Sequence, residues 1–229
     1  MDEPEALHFF DRYDRFRSSG DTARSRYRYE AIVSCNYELF LDARVLNLHS
    51  GDGRWCMAAL DAGAAHVVGV ETSRKAVEGA RSTFIEYGIS SEAYQFINSE
   101  VDAALKAMNP GAYDLIICQQ AFELSDPRVI FSHLYRLAPE HVILDTGISR
   151  GDGPIIRFDF RLRDATAPMG TRQRGLIVAT PNHELIVFLC EYFRFEWRLV
   201  DWQAMGITDW TSIRDYERGR RRTYVLDRV

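Results

Sequence analysis

Between residues 44 and 146 short apolar runs alternate with amphipathic stretches, and this rhythm restricts the fold more than anything else in the chain. The runs are 44–49 (RVLNLH), 66–71 (HVVGVE), 94–99, 113–119 (YDLIICQ) and 141–146. The stretches between them, 54–64, 73–87, 101–108 and 127–137, carry apolar residues at helical spacing. Five strands separated by four helices cannot form hairpins, so each connection is a crossover. The predicted class is α/β, with a doubly wound, Rossmann-like sheet of five parallel strands covered on both faces.

The flanks follow other rules. In residues 1–40, Leu7, Phe9, Phe10, Tyr13 and Phe16 recur at spacings of one turn, Ser18-Ser19-Gly20-Asp21 interrupts them, and 23–40 resumes, which predicts two N-terminal helices forming a lid. After residue 146 a Gly, Ser and Asp-rich loop leads to two strand-like runs, 157–163 and 175–180, read as an inserted hairpin within 147–180. In 181–229, Pro181 is expected to open a helix through residue 193, 196–202 reads as a strand, 209–216 as a short helix and 222–227 (RTYVLD) as a last strand. The two strands suit an antiparallel C-terminal pair. With 229 residues, 46% of them hydrophobic, one domain spanning 1–229 is expected, its core being 44–146.

A net charge of −5 argues against capture of nucleic acid or anionic membrane by charge alone. No apolar run reaches the roughly 18 residues of a membrane span, and the start is acidic, so a cytoplasmic protein is expected. Apart from Lys75 and Lys106, the cations are arginines. Cys35, Cys56, Cys118 and Cys190 are far apart and read as buried free thiols, with no zinc spacing among them.

The stretch 45–73, VLNLHSGDGRWCMAALDAGAAHVVGVETS, carries the chemistry. Gly51 and Gly53 suit a tight turn and close backbone approach, the next helix start offers N–H groups, and Glu71 ends the second strand where a carboxylate can accept ribose hydroxyls. A nicotinamide site would need a third glycine where Cys56 stands. The sequence resembles the class I S-adenosylmethionine-dependent methyltransferases, with Asn47 and His49 where that family usually has Asp and Gly. The resemblance implies S-adenosylmethionine as cofactor. It places His49, Ser50, Gly51, Asp52 and Gly53 at the methionyl part, Glu71 and Thr72 at the ribose, Ser99 and Glu100 at the adenine, and Gln119 at the methionine end.

In such a sheet Glu123 and Asp145 are expected near each other at neighbouring strand ends, able to hold a divalent cation such as Mg²⁺ or to take a proton. Helix capping by Glu123 and anchoring of Arg150 or Arg157 by Asp145 is the plainer reading. His183, early in its helix, is the expected base, while His133 reads as a solvated helix position and His141 as remote from the site. Arg12, Tyr13, Arg24, Arg26, Tyr27 and Tyr29, with the run 218–222, read mainly as solvated surface, with a substrate clamp as the alternative. The expected activity is O-methylation of a small polar metabolite such as a sugar. A tRNA-modifying enzyme and a non-catalytic partner module remain alternatives, and a homo-oligomer is compatible with either.

Overall fold

The computed structural model describes residues 8–17, 22–120, 122, 125–162 and 175–229. Strands β1 (Arg44–Leu48), β2 (His66–Glu71), β3 (Tyr94–Asn98), β4 (Leu115–Gln119) and β5 (His141–Gly147) pair in parallel in the order β3-β2-β1-β4-β5. Antiparallel β9 (Arg221–Arg228) adds to β5, and β8 (Phe195–Leu199) adds antiparallel to β9. The expected five parallel strands plus antiparallel pair are therefore formed. The order reverses between β1 and β4, and it is outside such a reversal that α/β sheets bind ligands.

Before β1 lie α1 (Phe9–Arg12) and α2 (Thr22–Ile32); α3 (Arg54–Asp61), α4 (Arg74–Glu86), α5 (Val101–Ala107) and α6 (Pro127–Leu137) follow β1 to β4 in turn. Because side chains alternate along a strand, each strand feeds two cores. Val45, Val67, Ile117, Ile143 and Val225 pack under α3, α4 and the N-terminal helices. Leu46, Val68, Ile116, Leu144 and Tyr224 pack under α5, α6 and α7 (His183–Tyr192) on the other face. The short α8 (Arg214–Glu217) precedes β9. No described helix is long and apolar enough to cross a membrane.

Two boundaries depart from the sequence expectation. The second N-terminal helix ends at Ile32 because the Asn36 side-chain amide donates to the carbonyls of Ala31 (2.9 Å) and Ile32 (3.2 Å), after which a 3-10 segment, Ser34–Leu39, takes over. Pro181 opens no helix. It still pairs with Ile156 in the hairpin of β6 (Ile156–Leu162) and β7 (Gly175–Pro181), and Asn182 caps α7 by accepting from Leu185 N at 3.0 Å. Asn182 is buried and also donates to the carbonyls of Gly151 and Gly153, so one side chain fixes both the base of the hairpin and the start of α7.

Candidate active site

The glycine loop is built on β1 and held by β2. His49 (φ 54°) and Gly51 (φ 55°) adopt left-handed backbone, and Gly53 (φ 83°) does so as the residue before α3. The two glycines are required for different reasons. A Cβ at Gly53 would meet Phe96, Ala80 and Phe84 at 3.0–3.2 Å, so that glycine serves core packing under the loop. A Cβ at Gly51 would meet nothing within 4 Å, leaving its backbone open to a ligand.

Glu71 closes the loop from the neighbouring strand. It accepts the Gly51 amide on Oε2 at 3.0 Å, and the Ser73 amide (2.9 Å) and Thr72 hydroxyl (3.2 Å) on Oε1. Three of roughly four acceptor directions are filled, so a ribose hydroxyl finds one free and gains a second only by displacing a loop contact. Asp52 turns away from the loop to pair with Arg54 at 2.6 Å. Ser99 donates its hydroxyl to the Glu100 carbonyl, and Glu100 precedes α5 without capping it through its side chain. Asn98, the residue before them at the end of β3, ties β3 to β2 through the carbonyls of Glu71 and Thr72 at 3.0 and 2.8 Å.

At the ends of β4 and β5 the N-terminal helix α2 reaches in. Arg28 of α2 donates to Gln119 Oε1 at 2.8 Å and lies 3.1 Å from Asp145, with its guanidinium 5.2 Å from the centre of the Trp55 ring. Asp145 is wholly buried and also accepts from Arg221 (2.6 Å), the Tyr216 hydroxyl (2.7 Å) and the Thr223 hydroxyl (2.8 Å). Burial alone would raise its pKa, but Arg221 and Arg28 outweigh that and hold the carboxyl far below the usual carboxylate range. Its expected anchors, Arg150 and Arg157, are replaced by Arg221 and Arg28.

Asp145 and His183 do not meet. Asp145 pairs in register with Thr223 on one face of the sheet, whereas Tyr224, one residue on, projects to the other. There its hydroxyl lies 2.9 Å from His183 Nδ1, and Trp197 packs edge-on against the imidazole. Desolvation, then Arg222, lowers the His183 pKa, so the ring rests neutral among aromatics. Glu123 lies outside the described residues. With the oxygens of Asp145 already engaged by four donor side chains, the expected Glu123–Asp145 cradle for Mg²⁺ has no support. Among the described residues no group of three His, Cys, Asp or Glu is placed to hold a metal ion.

Other expectations are corrected. His133, expected to be solvated, is buried and lies 2.8 Å from Asp102. Cys35 is exposed, while buried Cys56 and Cys118 have thiols pushed up to about 12 by desolvation. Arg12 and Tyr13 both bind Asp61, Arg24 forms a two-pronged pair with Asp215 at 2.7 Å, and Arg221 is buried, so these groups tie the N-terminal helices and β9 to the core instead of lying solvated.

Polar groups left unsatisfied mark where a ligand belongs. Among the described residues seven buried side-chain nitrogens and oxygens lack a partner, and five of them are Arg28 Nε, Asn47 Oδ1, His49 Nε2, Ser50 Oγ and Gln119 Nε2. These five residues belong to the end of β1, the end of its neighbour β4 and the helix laid across them. Burial also pushes the His49 pKa down against the pull of Glu71 and Glu100, which keeps a neutral imidazole beside the loop. A neutral ring does not repel a cationic sulfonium. The open backbone at Gly51, the free acceptor on Glu71 and this set of unsatisfied groups fit S-adenosylmethionine.

Residues 45–140 match a family described as a methyltransferase domain. No curated protein matches the chain in sequence. Among solved structures it is similar to an S-adenosylmethionine-dependent methyltransferase from Mesorhizobium loti (TM-score 0.60, 13% identity, covering 90% of this chain and 98% of that one). It is also similar to the N-terminal domain of EvdMO1, solved with S-adenosylhomocysteine (SAH) and D-fucose (0.60, 15%, 99% and 84%), and to the cyclase SpnF (0.57, 16%, 92% and 84%). At these identities the structures speak for the fold alone, and the domain match takes in the glycine loop and Glu71. Residues 45–140 thus match a methyltransferase domain, and the fold over most of the chain is that of S-adenosylmethionine-dependent methyltransferases of known structure.

Proposed function

We propose that this enzyme methylates an oxygen of a small polar metabolite. The observation that carries the reading is the group of five unsatisfied buried polar atoms at the ends of β1 and β4 beneath α2, which a polar cofactor and its acceptor would satisfy. The EvdMO1 domain, of similar fold, was solved with D-fucose, which supports a sugar-like acceptor. When bound, S-adenosylmethionine supplies the methyl group on a sulfonium for in-line displacement.

The protein's part is mainly positioning. Glu71 holds the ribose side, His49, Ser50 and the Gly51 backbone line the methionyl side, and Arg28 with Gln119 closes the site above β4. A hydroxyl acceptor must also lose a proton. Asp145 is fully engaged and His183 lies on the opposite face, so Glu123, four positions after the end of β4, is the base we propose. The test is cofactor turnover on a panel of sugars, phenols, carboxylic acids and tRNA, with and without EDTA, for wild type and Glu123→Gln. Turnover on a hydroxylated metabolite that resists EDTA and falls at least a hundredfold in Glu123→Gln is expected. Activity confined to tRNA would reject the acceptor class, and undiminished Glu123→Gln would reject the base.

A further inference from the structure

Beyond the end of β5 lies an open cavity of ≈ 350 Å³ that no step above uses. Arg150, Arg157 and Arg220 line it together with Asp159, Ser149 and Thr180. Asp159 is taken by Arg157 at 3.0 Å. Among the described residues no carboxylate pairs with Arg150 or Arg220, so these exposed guanidiniums line one concavity without a described counter-charge. Ser149 Oγ, in the same wall, is buried and has no partner. Like charges gathered in a cleft repel one another and focus a positive potential, an arrangement that an oxyanion relieves by accepting two-pronged N–H donation.

The place of the cavity gives it a role. Gln119 pairs with Asp145, and Gly147 at the cavity edge is two residues further along β5. At strand spacings this puts the cavity within about 10 Å of Gln119 at the end of β4. The hairpin supplies one wall: Arg157, Asp159 and Thr180 share its charged face, while Phe158, Phe160 and Ile177 face away and are exposed. A small concave site in a chain of net charge −5 suits a compact anion, not a polyanion.

We propose that this cavity binds the phosphate or carboxylate of the acceptor, so that the substrate is an anionic metabolite whose reacting hydroxyl lies toward β4. This rests on the methyl-transfer reading for its role, while the anion site itself stands on its own geometry. The test is isothermal titration of the whole protein with inorganic phosphate and, separately, succinate, at ionic strength matched with sodium chloride, alongside titration with SAH. Saturable binding of phosphate or succinate is expected, the stronger of the two telling which anion the site prefers. Binding should weaken at least tenfold in Arg220→Ala and in the milder Arg220→Gln, and remain unchanged in Arg128→Ala, a change on the exposed surface of α6. No binding beyond chloride, or equal binding in the Arg220 variants that fold as wild type by circular dichroism, would overturn the proposal. Anion binding without SAH binding would keep the site and reject the methyl-transfer reading; SAH binding without anion binding would do the reverse.

Discussion

Arg28 of the N-terminal α2 lies 3.1 Å from the carboxylate of Asp145, 117 residues later, and shares it with Arg221. Two guanidiniums and two hydroxyls around one buried carboxylate form a closed charge arrangement to which α2 contributes. Removing the negative charge leaves Arg221 buried and uncompensated. Asp145→Asn should therefore lose about 3–5 kcal/mol in urea unfolding and increase amide exchange in α2. A loss below about 1 kcal/mol would mean that the arginines find other partners.

The packing beneath the glycine loop makes a second prediction. At Gly69 on β2 an added Cβ would stand 2.6 Å from the Phe96 ring and 2.8 Å from Ser50 Oγ. Gly69→Ala should cost about 1–3 kcal/mol by overpacking and push Phe96 toward Gly53, distorting the loop. Thermal unfolding with and without SAH reads both effects: a lower midpoint, and a smaller stabilisation by ligand. A variant as stable as wild type would show that Phe96 can withdraw at no cost.

His183 offers a test through pH. Its pKa is lowered in the folded protein, as is that of His49, from the ordinary 6.5. A depressed histidine keeps its full contribution above 6.5; below that the unfolded chain takes up a proton that the folded chain refuses, and stability is lost as pH falls through the folded value. Urea midpoints should drop between pH 7.5 and pH 5, and less so in His183→Phe, whose ring keeps the contacts with Trp197 and Tyr224. SAH affinity at pH 7.5 should be the same for wild type and His183→Phe. A tenfold loss would bring His183 back to the site.

The sheet was legible because crossover spacing and strand-end chemistry are local: the apolar runs 44–49 and 66–71 became β1 and β2 within a residue, and the Gly51 turn came with its Glu71 twenty residues on. Which face a residue takes was not legible. Asp145 and His183 both fall near strand ends in sequence, but the antiparallel register that pairs Asp145 with Thr223 sends Tyr224, and His183 with it, to the far face. Long-range partners were hidden for the same reason. Nothing near Arg28 in the sequence points to Gln119, and Arg221 looked like part of a solvated basic run until β9 carried it inside. Pro181 misled because a helix-start residue can equally end an edge strand.

The central claim is that the loop at Gly51 and Glu71 binds S-adenosylmethionine, and isothermal titration with SAH tests it most directly. The account predicts one site per chain, weakened at least tenfold in Glu71→Ala, which removes a charged acceptor contributing about 1.5–3 kcal/mol per hydrogen bond. Glu71→Gln, which retains an acceptor oxygen toward the Gly51 amide, should fall between the two. No heat with SAH at high protein concentration, together with binding of NADH, would contradict it.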